Sequence, residues 1–325
     1  MSIRSRKFTL TVLLLIGFAA IFYFDLFLAI IGNGTENAET NTSAAQLTLT
    51  AAESEVSEVN LDSQTLTVVQ VGEEDIVLYS QPDTGSDVIT TVTHGEYLEY
   101  IDEINSWYHV VVNDQYEGYI SSLYSEKAVI DVAAPATSLK NTTVVLDPGH
   151  GGQDTGAISN NGSFYEKDIT LATAKIIKNT LEAAGCTVLL TRNTDATIDL
   201  EDICSISMQN QADFFISLHY DSTEYMNEAS GTTTYYYYEK YEALAEAVND
   251  SLKYMLPLDN RGVEVGNFHV LRENTRPALL LELGYMNNDY DLAAFTTENY
   301  QQQVAEGILD GMKEYLAQEN EETGR

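Results

Sequence analysis

Apolar residues are distributed along this chain in distinct regimes. Residues 8–31 are apolar with one interruption, Asp25. Residues 33–64 are rich in Asn, Thr, Ser, Ala and Glu and contain no aromatic residue, a composition too polar to fill a core. From 66 to 126 the pattern changes to short runs of β-branched and aromatic residues, "DIVLYS", "EYLEYI", "WYHVVV" and "EGYISS". The turn signals "QPDTGS", "HGE" and "NDQYEG" separate them, which predicts a small all-β barrel over 65–127. Residues 128–141, with Pro135 and several small side chains, read as a second linker.

Beyond that linker, residues 142–319 alternate between strand and helix patterns. "TVVLD", "CTVLLT", "FFISLH", "TTYYYY" and "ALLLEL" are the strand candidates. Between the first two, Asp168 reads as an N-cap, Ile169, Ala172, Ile176 and Leu181 mark one helix face, and Gly185 ends the helix. Residues 240–256 and 299–316 are also helical by period. Near-continuous apolar strands alternating with helices predict a sheet covered on both faces. The fold class is therefore α/β, a twisted, mostly parallel sheet with helices on both faces. It is preceded by the barrel and by an N-terminal transmembrane helix, and residues 320–325 form a polar tail.

The transmembrane assignment, residues 1–32, rests on flanks and length. Arg4, Arg6 and Lys7 precede the apolar run, which is longer than the about 7–15 residues of a signal-peptide core. No clean Ala-x-Ala site follows it. Asp25 lies toward the outer end, where a carboxylate costs less than the about 3 kcal/mol it costs at the bilayer centre. A single-pass anchor in the cytoplasmic membrane, with the rest of the chain outside, is the expectation. A long cleaved signal peptide, with secretion, is the alternative.

Charge excludes some partners. Lys and Arg number 16 against 50 Asp and Glu, a formal net charge of -34. Such a surface repels a phosphate backbone, so no nucleic-acid partner is expected. It also lacks a polybasic grip for anionic lipid. The two cysteines, Cys186 and Cys204, make no disulfide framework and read as buried, unpaired thiols.

Candidate chemistry gathers where strands end. In an open α/β sheet, ligands bind outside the carboxyl ends of the strands. "VVLDPGHGG" delivers His150 beyond a turn built from Pro148, Gly149, Gly151 and Gly152. "FFISLH" ends in His219, and "ALLLELGY" embeds Glu282 in an apolar run, where a carboxylate needs compensation. Two imidazoles and a carboxylate suit Zn²⁺, whose catalytic sites have three protein ligands and an open fourth position. Glu166, just before a helix and after a Gly-rich loop, is the best third ligand, with Asp147, Asp154 and Asp221 as competitors. A carboxylate that is not a ligand can take a proton from water and pass it to a leaving amine; Glu282 fits that role. The rival reading of Glu282 is a buried ion pair with Arg272 or Arg276. His94 and His109 read as structural barrel residues, and His269 in "GNFHVLR" as a loop histidine. Arg272, as a receptor for a peptide carboxylate, and Asp221 and Asn267 are the substrate-contact candidates.

Two resemblances bear on these readings. The order "VLYSQPDTGSDVITTVTHGEYLEY", "SWYHVVV", "EGYISSLY" resembles the bacterial Src-homology-3-like modules of cell-wall proteins, which implies wall binding. "VVLDPGHGGQDTGAI", "YEKDITLATAKIIKNTLEAAGCTVLLTRNTD", "ADFFISLHYDS", "NFHVLRENTRPALLLELGYMNN" and "YQQQVAEGILDGMKEYL" resemble, in order, the zinc-dependent N-acetylmuramoyl-L-alanine amidases. That resemblance implies one zinc ion on His150, Glu166 and His219 and a catalytic role for Glu282. It implies peptidoglycan as substrate, cut between N-acetylmuramic acid and the L-Ala of the stem peptide. The family usually has Ala-Asn after the second ligand histidine, where this chain has Tyr220-Asp221. It usually has an Arg in the preceding helix, where this chain has Ile203 or a neighbour. The unusually aromatic "TTTYYYYEKY" reads as a Tyr-rich strand or as a pocket rim that packs against sugar. A zinc peptidase acting on the stem peptide and a catalytically silent wall-binding protein are the rival functions. Neither oligomeric state nor a protein activator is legible.

Overall fold

In the computed structural model, which describes residues 64–113, 115–132 and 136–323, two sheets carry the architecture. The expected anchor, and the first linker apart from Gln64, lie outside the described residues. Among the described residues, no helix is long and apolar enough to cross a membrane.

The first sheet is antiparallel, in the order β3-β2-β6-β5-β4-β1-β7. Its strands are β1 (Gln64–Val71), β2 (Ile76–Tyr79), β3 (Val88–Val92), β4 (Tyr97–Ile104), β5 (Trp107–Val112), β6 (Tyr116–Ser121) and β7 (Ser125–Val132). Alternation does the work predicted for it: Val69 and Val71, Leu98, Val110 and Val112, and Ile120 point into one core with Leu78 and Val92. Trp107 meets the Tyr79 ring edge-on, and His109 stacks on Tyr119 with Glu117 3.0 Å from its ring nitrogen. His109 is thus held within the barrel, as expected. The barrel is longer than the expected 65–127, because β7 pairs with β1 from Gln64↔Val132 to Val71↔Ser125. "SEKAVIDV", with β-branched residues at 129, 130 and 132, joins the sheet, which leaves only the residues after 132 as linker.

The second sheet has the order β12-β11-β13-β10-β8-β9. Its strands are β8 (Thr143–Pro148), β9 (Thr187–Leu190), β10 (Phe214–Asp221), β11 (Thr232–Tyr236), β12 (Asn260–Val265) and β13 (Ala278–Tyr285). All neighbours are parallel except β11 and β13, so the sheet is mixed. The edge strand β12, "NRGVEV", escaped the sequence reading because its glycine and charges break the apolar run.

The helices are α1 (Glu166–Ala183), α2 (Leu200–Gln209), α3 (Glu242–Met255), α4 (His269–Arg272), α5 (Asp289–Phe295) and α6 (Glu298–Thr323). On one face of the sheet, Val144, Leu146, Ile216, Leu218, Leu279 and Leu281 pack against α1, α3 and α6. On the other, Val145, Phe215 and Leu280 pack against Ile203 and Cys204 of α2 and Val270 and Leu271 of α4. Tyr237, Tyr238 and Tyr241 complete this second core, and Tyr97 of the barrel packs against it. Helices alone were expected on both faces; the second face is instead closed partly by the barrel. Both cysteines are free and buried, as expected.

Two helix boundaries differ from expectation. The cap of α1 is Tyr165 rather than Asp168, with no side-chain cap bond, because a β-bridge from Ile158 to Tyr165 delivers the chain straight into Glu166. Its buried face is Ile169, Thr170, Thr173, Ala174, Ile177 and Leu181, with Ala172 exposed. The C-terminal helix continues to Thr323, so most of the expected polar tail is helical.

Candidate metal and catalytic site

β10 and β13 lie side by side in parallel with His219 opposite Glu282. Residues alternate across a strand, so both side chains leave the sheet on the face that carries Phe215 and Leu280. His150 follows β8 on the other side of β10, in the left-handed conformation at φ 64°. Glu166, at the start of α1, closes the set: Oε2 lies 3.1 Å from His150 Nε2 and Oε1 lies 3.0 Å from His219 Nδ1. One donor atom from each of His150, Glu166 and His219 falls within 4.8 Å of the others.

The turn glycines have a steric reason. A Cβ on Gly149 would overlap the His219 ring, and one on Gly156, at φ 62°, would overlap Glu166 and His150. These positions let backbone approach the donor cluster where no side chain fits.

Two of the three donors are held from behind. Glu166 accepts from the backbone N–H of Ala157 at 2.8 Å and of Tyr220 at 3.0 Å. Asp154 Oδ2 lies 2.8 Å from His150 Nδ1, which turns Nε2 toward the centre, while Oδ1 accepts from Gly156 N. Such a carboxylate behind a ligating imidazole fixes its tautomer and orientation. Of the competitors for third ligand, Asp154 thus serves His150, and Asp147 is committed elsewhere. Asp147 accepts from Thr191 at 2.6 Å and Ser217 at 2.8 Å and is buried. Asp221 sits at the β10 bulge beside the Tyr285 hydroxyl.

Charge is organised sharply around these groups. Burial disfavours the Glu166 carboxylate, but hydrogen bonds and the fields of His150 and His219 prevail and bring its pKa down to about 2. Burial likewise opposes the His150 imidazolium, and the Glu166 and Asp154 carboxylates overcome it, lifting its pKa to about 9. Glu282 behaves oppositely. Burial pushes it up to about 8; His219 pulls the other way, and Glu166 and Asp221 add to the rise. Its Oε2 is buried without a hydrogen-bond partner. Arg272 pairs with Glu273. Arg276 donates to the Ala212 carbonyl.

Glu282, His150 and His219 line one cavity of about 250 Å³. Apolar side chains line much of the rest of it, Ile198, Leu200, Ile203, Phe268, Val270 and Leu280. Ile203 therefore faces the pocket, where the sequence comparison expected a basic residue. His269 also lines the cavity, contrary to its reading as a plain loop histidine. Arg272 and Asn267 do not line it. Arg272 donates to the His94 carbonyl, to Asn267 Oδ1 and to Glu273 Oε1, at 2.8, 2.6 and 2.9 Å.

The sequence reading missed Arg192. Buried just beyond β9, it donates to the carbonyls of Pro148, Gly149 and Lys167 at 2.8 to 2.9 Å. It thereby ties the His150 turn to the start of α1. The only sequence signal was a cation directly after an apolar strand.

Comparison with known proteins agrees with this geometry. A family model described as N-acetylmuramoyl-L-alanine amidase matches residues 144–314, and one described as bacterial SH3 domain matches 74–126. The probable cell wall amidase LytH of Staphylococcus aureus is 35% identical over 262 residues, 79% of this chain and 86% of that protein. The catalytic domain of CwlV from Bacillus (Paenibacillus) polymyxa var. colistinus superposes with a TM-score of 0.52. It is 37% identical and covers 54% of this chain and 98% of that domain. An N-acetylmuramoyl-L-alanine amidase of Clostridium difficile 630 gives 0.53 at 34% identity, covering 55% and 98%. With a matching family model, a relative alike over most of both chains and the converging donors of His150, Glu166 and His219, this chain belongs to the N-acetylmuramoyl-L-alanine amidase family.

Proposed function

We propose that the pocket is a one-metal amide-hydrolysis site acting on peptidoglycan, between N-acetylmuramic acid and the L-Ala of the stem peptide. The observation that carries this reading is the pairing of His219 with Glu282 on one sheet face, beside the donors of His150 and Glu166. Two imidazoles and a buried carboxylate form a donor set suited to zinc, and Asp154 behind His150 is the support such a ligand requires. The metal, when bound, would polarise the amide carbonyl and acidify water. Glu282 stands next to that centre in a partly apolar pocket. Its raised pKa suits it to accept a proton from the attacking water and to return it to the leaving amine. The apolar wall from Ile198 to Leu280 excludes water around the carboxylate and favours its protonated form. Arg192 and the turn glycines keep His150 in place.

Of the substrate-contact candidates, Asp221 stays at the edge of the site, and Arg272 is bonded to Asn267, Glu273 and the His94 carbonyl instead of lining the cavity. The barrel is proposed to raise local concentration at the wall. Residues 1–32, by their apolar length and basic flank, are proposed to anchor the protein in the cytoplasmic membrane with its catalytic part at the cell surface. Cell fractionation tests this: recovery in the membrane fraction supports an anchor, and a shortened chain in the medium supports secretion.

The activity is tested by incubating the full chain, with zinc, with purified peptidoglycan beside a Glu282→Gln control. Free stem peptides beginning at L-Ala, absent from the control, are expected by mass analysis. Cleavage within the peptide would move the function to a stem-peptide peptidase. Retention on the wall without products would leave a binding protein.

A further inference from the structure

The proposed function leaves "TTTYYYYEKY" and the buried contacts of the barrel unused, and the two meet at one place. The barrel turn at residues 93–97 lies against the end of β11 and against α4. Tyr97 N donates to the Tyr238 hydroxyl at 3.0 Å, and that hydroxyl donates to the Arg272 carbonyl at 2.5 Å. Glu96, only 3% exposed, is hydrogen-bonded to Tyr237. Arg272 Nε donates to the His94 carbonyl.

Glu273 sits at the centre of this contact. Its Oε1 lies 2.9 Å from Arg272 Nη2, 3.1 Å from His269 Nδ1 and 3.8 Å from His94 Nδ1. A Cβ on Gly95, at φ 81°, would overlap the Glu273 carboxylate. The far end of a free glutamate would swing aside; this one is tethered by His269 and Arg272, so the approach is matched to glycine. The other end of the tether is functional, since Phe268, His269 and Val270 line the cavity with His150, His219 and Glu282.

We infer that the barrel is a positioning part of the active site. Through Glu273 and the Tyr238 hydroxyl, its turn holds the 268–273 wall in the shape that orients the substrate beside Glu282. Glu273 and Arg272 are positioning residues that act through His269 and Phe268. This inference rests on the amidase reading for its substrate, and its direct readout does not.

The experiment uses the full chain with zinc and the variants Gly95→Ala, Glu273→Gln and Tyr238→Phe. Substrate is a small soluble muramoyl peptide, too short to reach a separate wall-binding surface on the barrel. A positioning role lowers kcat about tenfold or more in Gly95→Ala and Glu273→Gln, with KM changed far less and zinc stoichiometry intact. Hydrogen exchange at the amides of Leu271, Arg272 and Glu273, which bond back to Phe268 and His269, becomes faster. In a Glu273→Ala background, adding Gly95→Ala has a smaller further effect, because the overlapping carboxylate is gone and only the backbone strain at φ 81° remains. Tyr238→Phe, which keeps the ring, shows the same changes more weakly and stands in if Gly95→Ala does not fold. Unchanged exchange at 271–273 with unchanged soluble turnover, and a loss confined to intact wall, would overturn the inference. If the unmodified protein fails on the soluble substrate, the amidase reading fails, and the exchange data still decide the coupling.

Discussion

The two faces of the catalytic sheet are built on different principles. One is covered by α1, α3 and α6 and is filled by aliphatic residues such as Leu146, Ile177, Leu181, Val248, Leu281 and Ile308, all fully buried. The other carries Asp147, Ser217, His219 and Glu282 on its strands, and its cover is pieced together from α2, the single turn of α4, a group of tyrosines and the barrel. The first face has only to exclude water. The second must leave a cavity open, hold a carboxylate at a raised pKa and align three donors. Long helices cover the face that has only to be dry, and the cover is interrupted where the polar groups of the site stand.

The contrast can be broken most forcefully at Glu282. Glu282→Gln should lower kcat about a thousandfold, as expected for loss of a general acid–base. Zinc content, measured by atomic absorption, and thermal stability should hold or improve, because a poorly satisfied buried carboxylate disappears. Loss of zinc along with activity would instead make Glu282 a ligand.

On the opposite face the signs reverse. Leu181→Ala removes a fully buried side chain and should cost about 3 kcal/mol of stability in denaturant titration. Turnover per folded molecule should be nearly unchanged. A large loss of kcat in folded Leu181→Ala would show that the two faces are not separable.

Asp154→Asn sharpens the picture on the site face. The amide still reaches His150 but no longer supports its tautomer as a charge, so zinc affinity should fall about 10–100-fold by competition with a chelator. Excess zinc should restore most of the activity.

The smallest effect concerns pH at the barrel contact. Burial holds the Glu96 carboxyl above its ordinary value of 4.5, against the opposing bond from Thr93 N. Above 4.5 the unfolded chain has released this proton while the folded chain still retains it. The folded state binds more protons in that window, so Glu96 makes stability fall as pH rises through it. Below 4.5 the term vanishes. Glu96→Gln should flatten the stability profile just above that pH, and an unaltered slope would mean that the carboxylate is already well solvated.

Much of the candidate site was legible because its signals are local. A Pro-Gly turn at a strand end marked His150, and a carboxylate inside "ALLLELGY" marked Glu282, since such placements are costly without a purpose. Glu166 was one acid among several until its resemblance to a family and then its place at the start of α1 singled it out. Arg192 left almost no trace, because its role is to bind carbonyls, and carbonyls have no sequence signature. Arg272 looked like an anion receptor for the same reason: a lone arginine does not say whether its partner is substrate or protein.

The tyrosine run shows where sequence reasoning stopped. Alternation and period, which depend on neighbours in the chain, were enough to predict a β barrel, an α/β sheet and most element positions. They could not say that β7 extends the barrel to Val132 or that β12 completes the other sheet, since edge pairing depends on partners far along the chain. Nor could they say that Tyr237 and Tyr238 lie beneath the barrel rather than at a sugar-binding rim. Residue chemistry named His150, His219 and Glu282 as site candidates, and resemblance to a family added Glu166 to them. Long-range packing alone decided that His219 stands opposite Glu282 and that the barrel helps to cover the face from which both project.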